Sequence, residues 1–383
     1  MQRRRFGKID IDVSLLGFGC MRLPTVADPD PGSEVGNIDL EKSVEMIRYA
    51  IDNGVNYIDT AYNYHGGKSE VLVGKALADG YREKVYVATK LPVWLVESEA
   101  DRDRLLNEQL EKLQTDQIDM YLLHALNKGS WKDRVLKYDI LSFLDQAKAD
   151  GRIKYAGFSF HDELDVFKEI VDAYDWDFCQ IQLNYMDEEY QAGVEGLRYA
   201  AEKGLAVVIM EPLRGGRLVR NVPEEIQAVW DQAPEKRTPA EWAFRWLGNF
   251  PEVKVILSGM GTMSEVQENI RTLNDALPNS LSDEEMALVD QVKQIYNNRI
   301  KVKCTDCRYC LPCPQGVNIP RIFSIYNHAS VYNMFEDGRR QYSRLIQDGT
   351  DAGQCIECEN CESLCPQNLT IIEYLKEAHA ALA

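Results

Sequence analysis

Residues 140–160 read ILSFLDQAKAD-G-RI-KYAGFSF. Ile140, Phe143, Leu144 and Ala147 recur with helical period, Gly151 stands where a helix ends in a left-handed cap, and 154–160 form a short apolar run of the kind a buried strand uses. The same unit recurs outward in both directions. Gly54 and Gly204 fall at the ends of two further helical patterns. Strands are expected at 14–19, 56–61, 85–90, 120–124, 154–160, 178–183, 206–213 and 254–259. Helical patterns are expected at 40–53, 101–113, 140–150, 162–174, 190–203 and 239–248. Eight strands alternating with helices over roughly 250 residues predict a closed parallel (β/α)8 barrel, a TIM barrel, with an open doubly wound sheet as runner-up.

Around that core lie smaller features. The first dozen residues, with Gly7 between short apolar-alternating pieces, predict a β-hairpin. An irregular insert at 24–37, rich in Pro, Gly and Asp, would overhang the barrel mouth and shape a substrate site. After the last strand, helices are expected at 264–273 and 282–295, and a basic linker at 297–303 follows. The expected domains are 1–297, the barrel, and 298–383, a small mainly helical unit.

That second unit carries eight of the ten cysteines. Cys304, Cys307, Cys310 and Cys313 form C-x2-C-x2-C-x2-C-P; Cys355, Cys358, Cys361 and Cys365 form C-x2-C-x2-C-x3-C-P. Three thiolates at intervals of three can grip one corner of an iron–sulfur cube, and the cysteine before proline often serves the other cluster. Zinc sites pair two C-x2-C knuckles or add histidine, and no histidine sits among these cysteines. Disulfides are a weaker reading for a long chain without an export signal. Two [4Fe-4S] clusters are therefore expected. The segment also repeats itself: Cys313-Pro-Gln-Gly-Val-Asn-Ile matches Cys365-Pro-Gln-Asn-Leu-Thr-Ile. The repeat suggests two half-units with crossed ligation. One cluster would take Cys304, Cys307, Cys310 and Cys365, the other Cys355, Cys358, Cys361 and Cys313. The stretch 320–346 between them is rich in helix formers.

The chain has 383 residues and a net charge of −18. The first 297 residues hold 34 Lys+Arg against 51 Asp+Glu, the remainder 9 against 10. An acidic body argues against nucleic acid or an anionic membrane as partner. No apolar run approaches the ~20 residues of a membrane helix, and a cytoplasmic location is expected.

On a barrel, function gathers at the carboxyl ends of the strands. Those ends supply Asp59, Lys90, His124, Ser159, Gln180 and Met210, with Tyr64 in the loop after Asp59. Reducing a carbonyl leaves an alkoxide that needs a proton. Tyr64 can give it if Lys90 lowers its pKa, with Asp59 holding the lysine and His124 orienting the carbonyl. His65 and His161 read as solvated loop histidines, and Cys20 and Cys179 as buried small apolar residues.

Here the chain resembles the aldo/keto reductase family, over its first 295 or so residues. The resemblance rests on Gly54-Val-Asn-Tyr-Ile-Asp-Thr-Ala-Tyr-Asn-Tyr64, Ser69-Glu70 with Gly74-Lys-Ala-Leu, Ala88-Thr-Lys90, Leu122-Leu-His124, Gly151-Arg-Ile-Lys-Tyr-Ala-Gly-Phe-Ser159 and Glu211-Pro-Leu-Arg-Gly-Gly216. It implies Asp59, Tyr64, Lys90 and His124 as a catalytic tetrad. It also implies NAD(H) or NADP(H) at Ser159, Gln180, Met210, Leu213, Gly259 and Asn269. With the cysteines, the chain is similar to the iron–sulfur branch of that family, a dicluster ferredoxin-type domain fused behind the barrel. Three departures stand out. Phe160 replaces an asparagine, Met210 replaces the aromatic under the nicotinamide, and Gly259 and Glu265 stand where a lysine and an arginine would clamp a 2′-phosphate. The carboxylate predicts weak discrimination between the two cofactors or a preference for NADH.

The expected function is an oxidoreductase acting on a small carbonyl or alcohol substrate, with the clusters serving electron transfer to a redox-partner protein. The alternatives are a reductase using FMN or the clusters without nicotinamide, and a non-catalytic redox-sensing binding protein.

Overall fold

The computed structural model describes residues 1–27 and 33–383; part of the insert at 24–37 therefore lies outside the described residues. Two compact units emerge. One comprises Met1–Gly215 with Glu241–Leu281, the other Gly216–Ala240 with Ser282–Ala383.

The first unit is the barrel. A hairpin of β1 (Arg3–Arg5) and β2 (Asp12–Ser14) precedes eight parallel strands. These are β3 (Leu16–Gly19), β4 (Tyr57–Asp59), β5 (Tyr86–Leu91), β6 (Ile118–Leu126), β7 (Ile153–Phe160), β8 (Phe178–Gln182), β9 (Ala206–Met210) and β10 (Val253–Ser258). They close in sequence order, β10 pairing with β3. All eight expected strands are present, and so is the hairpin. The hairpin seals the barrel interior from one end. Phe6, Ile9 and Val13 pack into the cluster of Tyr57, Met120 and Phe178, and the Phe6 ring lies 5.6 Å from that of Phe178. Gly7 has φ +57°, and a Cβ there would stand 2.6 Å from the backbone of Gly204 and Ala206. Only glycine lets the hairpin approach so closely. The carboxyl ends of the strands are thus left for the site.

The second unit is built on helices Ile319–Val331, Phe335–Gln347 and Ile371–Leu382. Their shared core includes Ile322, Phe323, Tyr342 and Leu375. The sequence repeat is visible in the backbone. Each Cys-Pro turn leads after the same interval into a helix whose first residue, Ile319 or Ile371, is buried. Helix Asp283–Asn298 belongs to this unit, and Arg299 at its end donates to the Ser330 and Val331 carbonyls and to Glu225. Among the described residues no helix is long and apolar enough to cross a membrane.

Candidate active site

The register of the barrel brings Asp59, at the end of β4, beside Ala88 on β5, two residues before Lys90. Both charged side chains are buried. Lys90 Nζ donates to both Asp59 oxygens at 2.8 Å and to the Thr60 carbonyl at 2.7 Å. Tyr64 Oη lies 3.5 Å from the same nitrogen. Burial disfavours the lysine charge, but Asp59 and the Tyr64 oxygen outweigh it and hold its pKa above the ordinary value. Burial by itself also pulls Asp59 upward. The bidentate contact decides for a charged pair.

One expectation is corrected here. Lys90 does not bring Tyr64 below its ordinary pKa: burial of the phenol raises it, Lys90 only partly offsets this, and Asp59 adds to the rise. Tyr64 is held as a neutral phenol, the form that can give a proton.

His124, on β6, completes the group. Its ring stands edge-on to Tyr64, with centroids 6.2 Å apart. Burial first, then the charge of Lys90, pushes its pKa down to about 3. The imidazole is therefore neutral at pH 7, and its Nδ1 is buried without a partner. Trp94, in the turn after β5, lies 5.1 Å from the His124 ring and is partly exposed. It went unrecognised in the sequence, although its place just beyond a barrel strand was a usable signal.

A second layer fixes the backbone beneath these groups. Fully buried Glu70 accepts from Thr89 Oγ1 and Gln109 Nε2, each at 2.6 Å. Gln109 also donates to the Lys90 carbonyl, and Thr60 Oγ1 donates to Ser69. Helices Ser69–Ala76 and Glu99–Leu113 are thereby bolted to the strands that carry Asp59 and Lys90. Ser69-Glu70 stood out in the sequence, but its role did not.

The residues expected at a dinucleotide adjoin the same mouth. Ser159 and Gln180 are paired in register on β7 and β8. Ser159 Oγ accepts the Ala125 N–H at 2.7 Å and keeps its own proton to donate. Gln180 Nε2 reaches Met210 Sδ at 3.4 Å, while its Oε1 is buried and unpartnered. An orphaned amide oxygen beside a free hydroxyl suits a carboxamide, so these residues fit a nicotinamide. Leu213 is half-buried in the turn after β9, and Asn269 donates to Ser258 Oγ at 3.0 Å. A Cβ on Gly259 would come within 2.9 Å of Arg22. The basic side chain at this strand end is thus Arg22, supplied by the loop after β3 and missed in the sequence. Phe160 is buried against Phe167.

The minor histidines divide. His161 is half-buried and within electrostatic reach of His124. His65 is not the solvated residue expected: its Nε2 is buried, and burial lowers its pKa. Cys20 and Cys179 are buried, as expected.

In the helical unit, Cys304, Cys307, Cys310 and Cys365 line one cavity. Cys313, Cys355, Cys358 and Cys361 line a second, of about 330 Å³, together with Cys310. These are the two crossed sets. Six of the eight pack against the helical core, while Cys307 and Cys358, equivalent in the repeat, are exposed. Among the described residues no three such side chains converge on a single-ion site; the thiols surround spaces rather than points. Thiols placed so fit polynuclear clusters.

A model of the aldo/keto reductase family matches residues 15–294, and a 4Fe-4S dicluster domain matches 303–370. Relatives include L-galactose dehydrogenase of Arabidopsis thaliana, 25% identical over 322 residues, covering 78% of this chain and 96% of that protein. The NADH-specific methylglyoxal reductase of Escherichia coli is 26% identical over 336 residues, covering 77% and 99%. Among solved structures, the holo form of aldo-keto reductase AKR11C1 from Bacillus halodurans has a TM-score of 0.63 at 27% identity, covering 76% of this chain and 96% of that one. An aldo-keto reductase from Klebsiella pneumoniae in complex with NADPH has a TM-score of 0.61 at 25% identity, with coverage of 76% and 96%.

Proposed function

The chain belongs to the aldo/keto reductase family, and from that premise we propose that it reduces small carbonyl compounds at the barrel mouth and exchanges electrons through two [4Fe-4S] clusters. As an oxidoreductase of this type it is an enzyme, which sets aside the pure binding-protein reading. The comparisons give a flavin no support, and FMN has no part in the proposal.

A nicotinamide, when bound, supplies the hydride; Ser159 and Gln180 would hold its carboxamide and Met210 would offer its ring a soft apolar surface. The chain's own residues handle the proton. Tyr64, kept protonated by burial, donates Oη–H to the carbonyl oxygen as charge develops there. His124, neutral, donates an imidazole N–H to the same oxygen and fixes the carbonyl plane. Lys90 lies 3.5 Å behind the phenol, so the tyrosinate left after proton transfer forms beside an ammonium, and Asp59 holds that ammonium in place. In the reverse direction the tyrosinate takes the proton back. Cys304, Cys307, Cys310 and Cys365 would hold one cluster and Cys313, Cys355, Cys358 and Cys361 the other; when bound, these supply one-electron transfer.

The observation that carries the proposal is Lys90 bridging Asp59 and Tyr64 in a buried site. Tyr64→Phe tests it. With NADH or NADPH, methylglyoxal and a panel of small aldehydes under anaerobic conditions, turnover should fall by about 10²–10⁴, the usual value of a positioned proton donor. Cluster absorption and nicotinamide binding should persist. A variant as fast as the parent would remove Tyr64 from the chemistry.

A further inference from the structure

The two cysteine loops lie in opposite electrostatic surroundings. Into and through the first run Arg299, Lys301, Lys303 and Arg308, against the single acid Asp306. Between Cys355 and Cys365 stand Glu357, Glu359 and Glu362, with no cation in the stretch itself; Lys376, from outside it, pairs with Glu357 at 2.8 Å and leaves the other two carboxylates in excess. In a protein of net charge −18, a cluster of cations beside one thiol set is a local reversal of sign.

Three of these cations, Lys301, Lys303 and Arg308, are presented outward, while Arg299 is turned onto the Ser330 and Val331 carbonyls and paired with Glu225. Lys301 and Lys303 are exposed on either side of Val302, which is fully buried. Val302 is pinned from both faces of its peptide: its N–H reaches Asn327 Oδ1 at 2.8 Å, and its carbonyl accepts from Asn327 Nδ2 at 2.6 Å. Arg308 is exposed and lines the same cavity as Cys304, Cys307 and Cys365. Its ion pair with Asp306, at 3.3 Å between two exposed side chains, is of the kind worth little in water. Tyr309 follows at 65% exposure, the most exposed large apolar side chain among the described residues. Cys307, beside Arg308, is itself exposed. An exposed aromatic that follows an exposed arginine and an exposed thiol, with two exposed lysines earlier in the same loop, has the composition of an interface centre.

We propose that Lys301, Lys303, Arg308 and Tyr309 form the docking face for an acidic one-electron carrier protein. The proposal rests on the reading that Cys304, Cys307, Cys310 and Cys365 hold a cluster. Each encounter moves one electron: the reduced carrier is oxidised by one, the bound cluster is reduced by one, and no proton or atom is exchanged. The carboxylates of the second loop would repel the same carrier, so charge also selects the first loop as the point of contact.

The test uses the anaerobic full-length protein and a reduced acidic [2Fe-2S] ferredoxin as probe, with cluster reduction followed by stopped flow over a range of ionic strength. The second-order rate should fall steeply with salt. Lys301→Glu/Lys303→Glu should lower it tenfold or more at low ionic strength and flatten the salt dependence. Reduction by dithionite, which needs no docking, should be unchanged, as should iron content. Arg308→Glu and Tyr309→Ala give independent variants with the same expected direction. Unchanged rates in iron-replete variants would overturn the docking face alone, as would faster reaction with a basic carrier. Equal slowing with dithionite would assign the lysines to tuning the cluster and also overturn it. Iron-free protein would bring down the cluster reading, and the docking face with it.

Discussion

The barrel mouth and the cysteine loops solve the same problem, holding reactive groups in place, by different means. At the mouth, hydrogen bonds from Lys90 Nζ hold Asp59, the Thr60 carbonyl and Tyr64 together, with Glu70 and Gln109 bracing the backbone from behind. In the helical unit seven of the eight cysteines sit on loops, Cys361 lies in the short helix Asn360–Ser363, and none is fully buried. The barrel site is organised by the protein itself; the cysteine loops fit a group that would complete them. The chemistry follows suit. Proton transfer needs side chains fixed in advance, whereas electron transfer needs only a cluster held near the surface.

The sharpest way to break that contrast is to remove the iron. Where metal completes a site, its binding free energy is folding free energy, on the order of 10 kcal/mol for structural zinc. Chelation after mild oxidation should expose the loops around Cys304–Cys313 and Cys355–Cys365 to protease, and a barrel fragment should accumulate with its circular dichroism unchanged. Mass spectrometry of a limited digest locates the cuts. Equal resistance with and without iron would mean that the helical core around Phe323 and Leu375 supports the loops unaided.

The converse experiment breaks the mouth from within. Lys90→Met leaves Asp59 buried without its cation, a loss of about 3–5 kcal/mol for a broken buried pair. Urea unfolding should show that loss in the barrel transition. Adding Asp59→Asn should recover most of it while turnover stays absent. A single variant as stable as the parent would show that water, not Lys90, satisfies Asp59.

How much of this contrast was legible beforehand follows from what each feature depends on. The barrel was readable because helix, capping glycine and strand recur, and every strand lies within three residues of its expected bounds. The gathering of Asp59, Tyr64, Lys90 and His124 at one mouth was readable from the spacing of Asp59 and Tyr64 with Lys90 and His124 at later strand ends. The crossed cysteine sets were readable from an internal repeat. What escaped were properties of three-dimensional surroundings. Burial reverses the expected direction of the Tyr64 pKa, and burial is not written in the spacing. Glu70 meets Gln109, and Gly259 meets Arg22, across separations that no local pattern spans. Gly216–Ala240 groups with the helical unit for the same reason.

The smallest effect concerns cofactor choice, where the structure gives the residue singled out in the sequence a second way to act. Glu265 was expected to repel a 2′-phosphate by charge. In the structure its Oε2 accepts the backbone N–H of Gly261 at 2.7 Å and of Thr262 at 3.2 Å, while Thr262 Oγ1 caps the Glu265 N–H in return. The carboxylate therefore occupies donors at the start of helix Met263–Asn274 that an anion would otherwise use. Repulsion and occupation act in the same direction. Glu265→Gln separates them, because glutamine can keep the capping box while losing the charge. NADPH affinity should rise about two- to fivefold, the worth of one charge at a helix terminus, with NADH affinity unchanged; fluorescence titration of both cofactors reads the ratio. If the gain appears only in Glu265→Ala, occupation of the amides is the operative barrier. If the parent already binds NADPH more tightly than NADH, Arg22 beside Gly259 outweighs Glu265, and the loop after β3 decides the cofactor.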